Sequence, residues 1–298
     1  MEHLSPHAHP HDHRTTNSGN GYLRRLQTAL WLNIVFFIIE LFGGIYTHST
    51  AILSDALHDF GDVLALGFAL YAQKLSLRPP DKQYSYGYGR FSLLGALVTT
   101  MVLVVGSFII LREAIPHLTD PPAVHSGGVW LLALLGVAVN GAAVLNLRKG
   151  KTMNERVAML HLFEDVLGWV AVLVGASLMW AFGWHWVDPL LAVLIAGYIL
   201  VSALRNLSKS LKVLLQAVPK GIDEAVVRLS LQQTDGVEDV FDLHLWSLDG
   251  EYVIGTVHLL VSVDMATSEI GPLKTLLREQ LLDLGVNHCT IEVEYAVE

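Results

Sequence analysis

The chain has 298 residues, 52% of them hydrophobic and only 16% charged, with a mean hydropathy of +0.46. Soluble domains carry about 25% charged residues, so a wholly soluble protein is excluded. The formal charge of −9 is unevenly placed: residues 1–212 hold 15 Lys/Arg against 13 Asp/Glu, and residues 213–298 hold 4 against 15. A near-neutral apolar body with an acidic tail argues against nucleic acid as a partner, and the single cysteine, Cys289, excludes an intramolecular disulfide framework.

Residues 1–24 are polar, and five histidines fall within the first twenty positions. The stretch lacks the apolar core of a signal peptide. It reads as a cytosolic tail able to capture transition metals loosely through neutral imidazole. Residues 25–212 then hold six apolar runs, placed at 26–47, 50–73, 91–115, 126–147, 157–181 and 187–209, each near the length that spans a bilayer. Short connections make sequence neighbours antiparallel. Fourteen Lys/Arg fall at one side of the bundle and only Arg112 at the other, which predicts both termini on the cytoplasmic side.

The second run reads ILSDALHDFGDVLAL and carries Asp55, His58, Asp59 and Asp62 at membrane depth. Such groups cost at least about 2.5 kcal/mol each there, so they imply an ion or a proton to offset them. His58 and Asp62 are four apart and share a helix face. The spacing returns at His161 and Asp165 in the fifth run. Because the two helices are antiparallel, His58 is expected opposite Asp165, and Asp62 opposite His161. Two imidazoles and two carboxylates around one ion give a near-neutral tetrahedral set of the kind zinc accepts. Asp55 is a candidate for the entry path, Asp59 is turned toward another helix, and Glu40 in the first run can pair or relay protons. Glu164 points elsewhere on its helix and is left out of the ligand set.

Between the second and third runs, Pro79-Pro80 ends a helix and Gly87 and Gly89 allow a tight re-entry before Arg90. Asp188-Pro189 marks the start of the sixth helix. From Val213 the pattern becomes that of an α+β domain: helix 222–233, strand 237–247, an Asp249-Gly250 hairpin turn, strand 252–263, helix 268–284 and strand 289–296. His244, His258, His288 and Glu294 lie on or beside these strands and form a candidate cytosolic metal site.

Together, the doubled His-x-x-x-Asp, the YGYGR turn, the VDP start of the sixth helix and the DLHLWS…VHLLV…HCTIEVE tail resemble the cation diffusion facilitator transporters, nearest their zinc-type branch. The resemblance covers nearly the whole chain. It implies an α-helical membrane protein of six transmembrane helices followed by a cytosolic, metallochaperone-like αββαβ domain at residues 213–298. It further implies a homodimer that exports divalent cations in exchange for protons, with Zn²⁺ the chief cargo and Cd²⁺ and Co²⁺ possible. His58, Asp62, His161 and Asp165 would form the transport site; the expected location is the plasma (inner) membrane of a bacterium.

The sequence departs from the family where Arg90 is followed by Phe91-Ser92 rather than by x-Glu, where Glu164 precedes Asp165, and in the absence of a His run between the fourth and fifth helices. Histidine at position 58 favours zinc over harder ions. Ligation by imidazole and carboxylate couples metal to protons without a separate proton site. A secondary transporter is thus expected rather than an enzyme; no His-Glu-x-x-His hydrolase motif occurs. The alternative, a membrane haem held by His58 and His161, gives the paired aspartates no role.

Overall fold

The computed structural model describes residues 18–296 except 77, 79 and 148–152, with side chains from residue 30 onward except at 69, 73, 76, 143 and 146–162. The five leading histidines lie outside the described residues. Six long helices come first: α1 (Ser18–Thr47), α2 (Thr50–Ser76), α3 (Arg90–His117), α4 (Ser126–Leu147), α5 (Met153–Phe182) and α6 (Val187–Leu214). Most extend past the apolar runs, because polar residues continue a helix where hydropathy no longer marks it.

Among the described residues, Leu30–Thr47, Arg90–His117, Phe163–Phe182 and Val187–Leu214 are long and apolar enough to cross a bilayer. In α2 the acidic residues break the apolar run, and the apolar part described in α4 is the shorter Ser126–Ala142. Trp31, Phe42, Phe108 and Trp180 are each 66–74% exposed, an outward apolar surface suited to lipid.

α2 lies among α1, α3 and α6, and α3 packs along α6. α4 packs along α5, whose main other neighbour is α6; among the described residues α5 and α2 make few contacts. Trp169 of α5, 2% exposed, anchors a core with Ile52, Val129 and Val172. It fits because position 136 of α4 is glycine: a Cβ there would stand 2.2 Å from the indole. Small residues permit such close helix approach in membranes.

The soluble part comprises α7 (Glu224–Gln232), β1 (Val237–Ser247), β2 (Val253–Val261), α8 (Thr267–Asp283) and β3 (His288–Tyr295), in the expected αββαβ order. The sheet runs β1-β2-β3, with β1 antiparallel and β3 parallel to β2. Asp249 Oδ1 accepts from the backbone N–H groups of Glu251 and Tyr252, and Gly250 takes φ +105°, which closes the hairpin. Strand residues Val257, Leu259, Val261 and Ile291 meet Leu231 of α7 and Leu277 and Leu281 of α8 in one core. The opposite face carries His258, Glu292 and Glu294, because side chains alternate along each strand.

The connection between α2 and α3 is a built loop rather than a bare turn. Asp81 Oδ1 accepts from the N–H groups of Gln83 and Tyr84, each at 2.8 Å, and Oδ2 accepts from the Tyr88 hydroxyl at 2.7 Å. These bonds, led by that from Tyr88, hold the Asp81 carboxyl below its usual range; the same bond pushes the Tyr88 phenol up. The loop rests on the soluble domain, with Tyr86 edge-on to His288 at 6.1 Å and Gly89 close against Asp249.

Candidate metal centre

α2 is positioned from its first turn. Asp188, at the start of α6 and 1% exposed, accepts from Ser49 Oγ (2.5 Å), Thr50 N (2.7 Å), Thr50 Oγ1 (2.9 Å) and Ala51 N (3.4 Å). A carboxylate at a helix N-terminus satisfies orphan N–H groups and complements the helix dipole. The VDP motif therefore caps α2 as well as starting α6. Sequence reasoning missed that role, because nothing at position 188 names a partner 138 residues away.

Two turns further along α2, His58 Nε2 stands 3.8 Å from Asp165 Oδ1 of α5. Asp62 is one turn beyond His58, and both line a cavity of about 600 Å³. Its walls continue through Gly95 and Thr99 of α3 and Ser202 of α6 to Ser92, Lys209 and Ser210, toward the end from which the soluble domain follows. His161 lies one turn before Asp165 on α5; its side chain is outside the described residues. Glu164, expected to point elsewhere, lines the same cavity. Asp55 is buried and does not line this cavity. Asp59 lies on α2, which packs on α1, the helix that carries the buried Glu40.

A second cluster sits on the polar face of the soluble sheet. β2–β3 pairing puts His258 beside Glu292, and the pleat brings Glu294 to the same side. His258 Nδ1 is 3.2 Å from Glu294 Oε1, and its Nε2 is 3.5 Å from Glu292 Oε2 and 3.7 Å from Asp242 Oδ2. Asp242 reaches in from an irregularity in β1 where its φ is +49°, and it also holds His244 Nε2 at 2.9 Å. His258, Glu292 and Glu294 offer ligand atoms within 4.8 Å of one another. His288 is not part of this group. It pairs with Ile254, four residues or about 13 Å along the strand from His258, and meets Tyr86 instead. Glu292 and Asp242 were not singled out in the sequence; strand alternation could have flagged Glu292, but not the irregularity that turns Asp242.

Residues 26–215 match the family model of the cation efflux transmembrane domain, and residues 219–296 match that of the cation efflux protein cytoplasmic domain. The metal cation efflux system protein CzcD of Cupriavidus metallidurans is 36% identical over 97% of this chain and 90% of its own. A cadmium, cobalt and zinc/H(+)-K(+) antiporter of Bacillus velezensis is 32% identical, covering 95% of this chain and 92% of its own. The zinc transporter ZitB of Escherichia coli is 32% identical over 97% and 93%.

Proposed function

Because this chain belongs to the cation efflux family and is a metal-cation exporter rather than an enzyme, we propose that it carries Zn²⁺ on His58, Asp62, His161 and Asp165, exchanging it for protons by alternating access. The observation that carries this reading is the approach of His58 to Asp165 across two helices that make few other contacts among the described residues, with Asp62 on the same cavity. Borderline zinc suits mixed imidazole and carboxylate donors, and cadmium and cobalt are named for a relative that shares the family. The haem alternative has no support from any family match.

The chemistry of the donor set supplies the coupling. Zinc binds neutral imidazole and ionised carboxylate, so each proton taken by these groups weakens the site. Imidazole titrates near pH 6.5 in water, so an acidic exterior favours release. The cavity reaching down α3 and α6 supports access from the side of the soluble domain, and the Asp188 cap supports closure at the other end. Cationic residues crowd the first of these sides, which supports cytoplasmic termini in a bacterial inner membrane. On this reading residues 1–24 are a cytosolic tail, 25–212 the membrane domain and 213–298 a domain that joins two copies and binds metal at His258, Glu292, Glu294 and Asp242, with His244 alongside.

Asp62→Ala and Asp165→Ala proteins should each lose zinc flux in vesicles under a pH gradient. Wild-type flux in either variant would remove the site from consideration.

A further inference from the structure

Every connection at the end of the bundle away from the soluble domain carries a histidine: His48 between α1 and α2, His117 and His125 at the two ends of the α3–α4 connection, and His185 between α5 and α6. Residues 77–89 and 148–152, which join the helices at the other end, carry none. Two of the four histidines come together. The imidazoles of His48 and His125 stand with ring centroids 6.2 Å apart, and both residues are exposed. With zinc about 2.0–2.1 Å from a ring nitrogen, the ring centroid lies about 3 Å from the ion, so two imidazoles on one ion stand about 5–6.5 Å apart. The observed spacing falls in that window.

The backbone beneath the two rings is fixed. The N–H of His125 donates to the Thr47 carbonyl at 3.0 Å, and the His125 carbonyl accepts from the N–H groups of Gly128 and Val129 as α4 begins. Glycine at position 128 permits this approach, since a Cβ there would stand 2.7 Å from Thr47 Cγ2. His48 takes φ +55°, a left-handed conformation that glycine favours and that histidine and asparagine tolerate better than most residues. The turn that ends α1 is thus clamped to the start of α4, with one imidazole on each side of the join. Tyr46 also lies against His125, ring centroids 6.0 Å apart, which restricts that imidazole's rotation. We propose that His48 and His125 form a second transition-metal site, a two-imidazole clasp that holds a zinc-class ion at the far mouth of the bundle. It is separate from the four-ligand set, because His58 lies eight residues, about 12 Å, along α2 from Thr50. The donors select the ion: neutral imidazole suits zinc, cobalt, nickel and copper, whereas magnesium and calcium take oxygen. Water completes the coordination, so the ion is held loosely. The outer position of the clasp rests on the orientation and transport readings above, whereas the pairing of the two rings does not. On those readings the clasp samples metal in the outer solution, and an ion held there fastens the α1–α2 turn to α4.

Modification of histidines by diethyl pyrocarbonate, read residue by residue in a mass spectrometer, tests the clasp in the full chain at constant pH. The protein is purified in detergent, both as wild type and as Asp62→Ala/Asp165→Ala. Zinc chloride should slow modification of His48 and His125 together in both proteins, with one midpoint, and magnesium chloride should not. H48N and H125N are the informative variants, because asparagine accepts a left-handed φ and caps a helix. In each, the zinc midpoint for the remaining histidine should rise at least about tenfold, as the second half of a chelating pair is lost. Absence of zinc protection overturns the clasp, as does a smaller rise in the variants or equal protection by magnesium; each of these leaves the transport reading intact. A second arm adds zinc outside spheroplasts that carry the Asp62→Ala/Asp165→Ala protein. Protection of the pair there supports the outer position. Protection in detergent but not in spheroplasts overturns that position, and the reading of cytoplasmic termini falls with it.

Discussion

The cap at Asp188 predicts a graded loss on substitution. Its carboxylate receives one hydroxyl bond from Ser49, and a hydroxyl and two backbone N–H bonds from Thr50 and Ala51, all buried. Asp188→Asn keeps one acceptor oxygen for Thr50, and its amide can donate to Ser49, so only the charge is lost. Bonds to a charged acceptor are worth about 1 kcal/mol more than neutral ones, and the helix N-terminus adds up to about 1 kcal/mol, giving a loss of about 2–4 kcal/mol. Asp188→Ala leaves every donor without an acceptor at about 1–3 kcal/mol each, partly relieved by water, for a loss of about 4–6 kcal/mol. At about 2–4 °C per kcal/mol for a chain of this size, alanine should melt at least about 8 °C below wild type, with asparagine between them. Thermal melts in detergent, read by fluorescence-detected size exclusion, measure this order. Alanine and wild-type proteins melting together would refute the claim that α2 is held from α6.

The polar face of the soluble sheet makes a second prediction: in an Asp62→Ala/Asp165→Ala background, His258→Ala should weaken zinc binding by more than about 100-fold in calorimetry, and His288→Ala should leave it nearly unchanged. Burial pushes the Cys289 thiol up to about 11, so maleimide should label it slowly at pH 7.5 in the folded protein and fully in denaturant. The α2–α3 loop has its own pH window. Asp81 is lowered on folding, so its contribution is full above the ordinary aspartate range near pH 4 and is lost as pH falls through the lowered value. Tyr88 is raised, so its contribution is full below about pH 10 and is lost as pH rises through the raised value. Protection of the amides of residues 81–91, taken as exchange relative to its intrinsic rate at each pH, should be highest between these limits; equal protection at pH 3 and pH 7 would contradict the Asp81 account.

Much of this architecture was legible because apolar runs and strand alternation are local signals. The strand and hairpin assignments fall within two residues of the observed elements, and hydropathy shortened the helices only where polar residues carry them on. The repeated His-x-x-x-Asp gave the face of each helix by period alone. What stayed illegible depends on contacts between distant segments. Asp188 reads as a local start signal until α2 is brought to it, and Glu164 cannot be assigned to the cavity before α2, α3 and α6 enclose it. His288 and Glu294 look equivalent in composition and alternation, yet pairing register places one at the loop and the other beside His258.

The sparse contact between α2 and α5 has a consequence for economy of transport. Each of these helices is secured mainly to other partners, and both pack on α6; on the proposed site, the cargo would add a direct bond between them. An unloaded carrier would then lack the rivet that draws these helices together, while a loaded one would be fastened by its ion. Discrimination against leakage would thus come from the passenger rather than from a separate door.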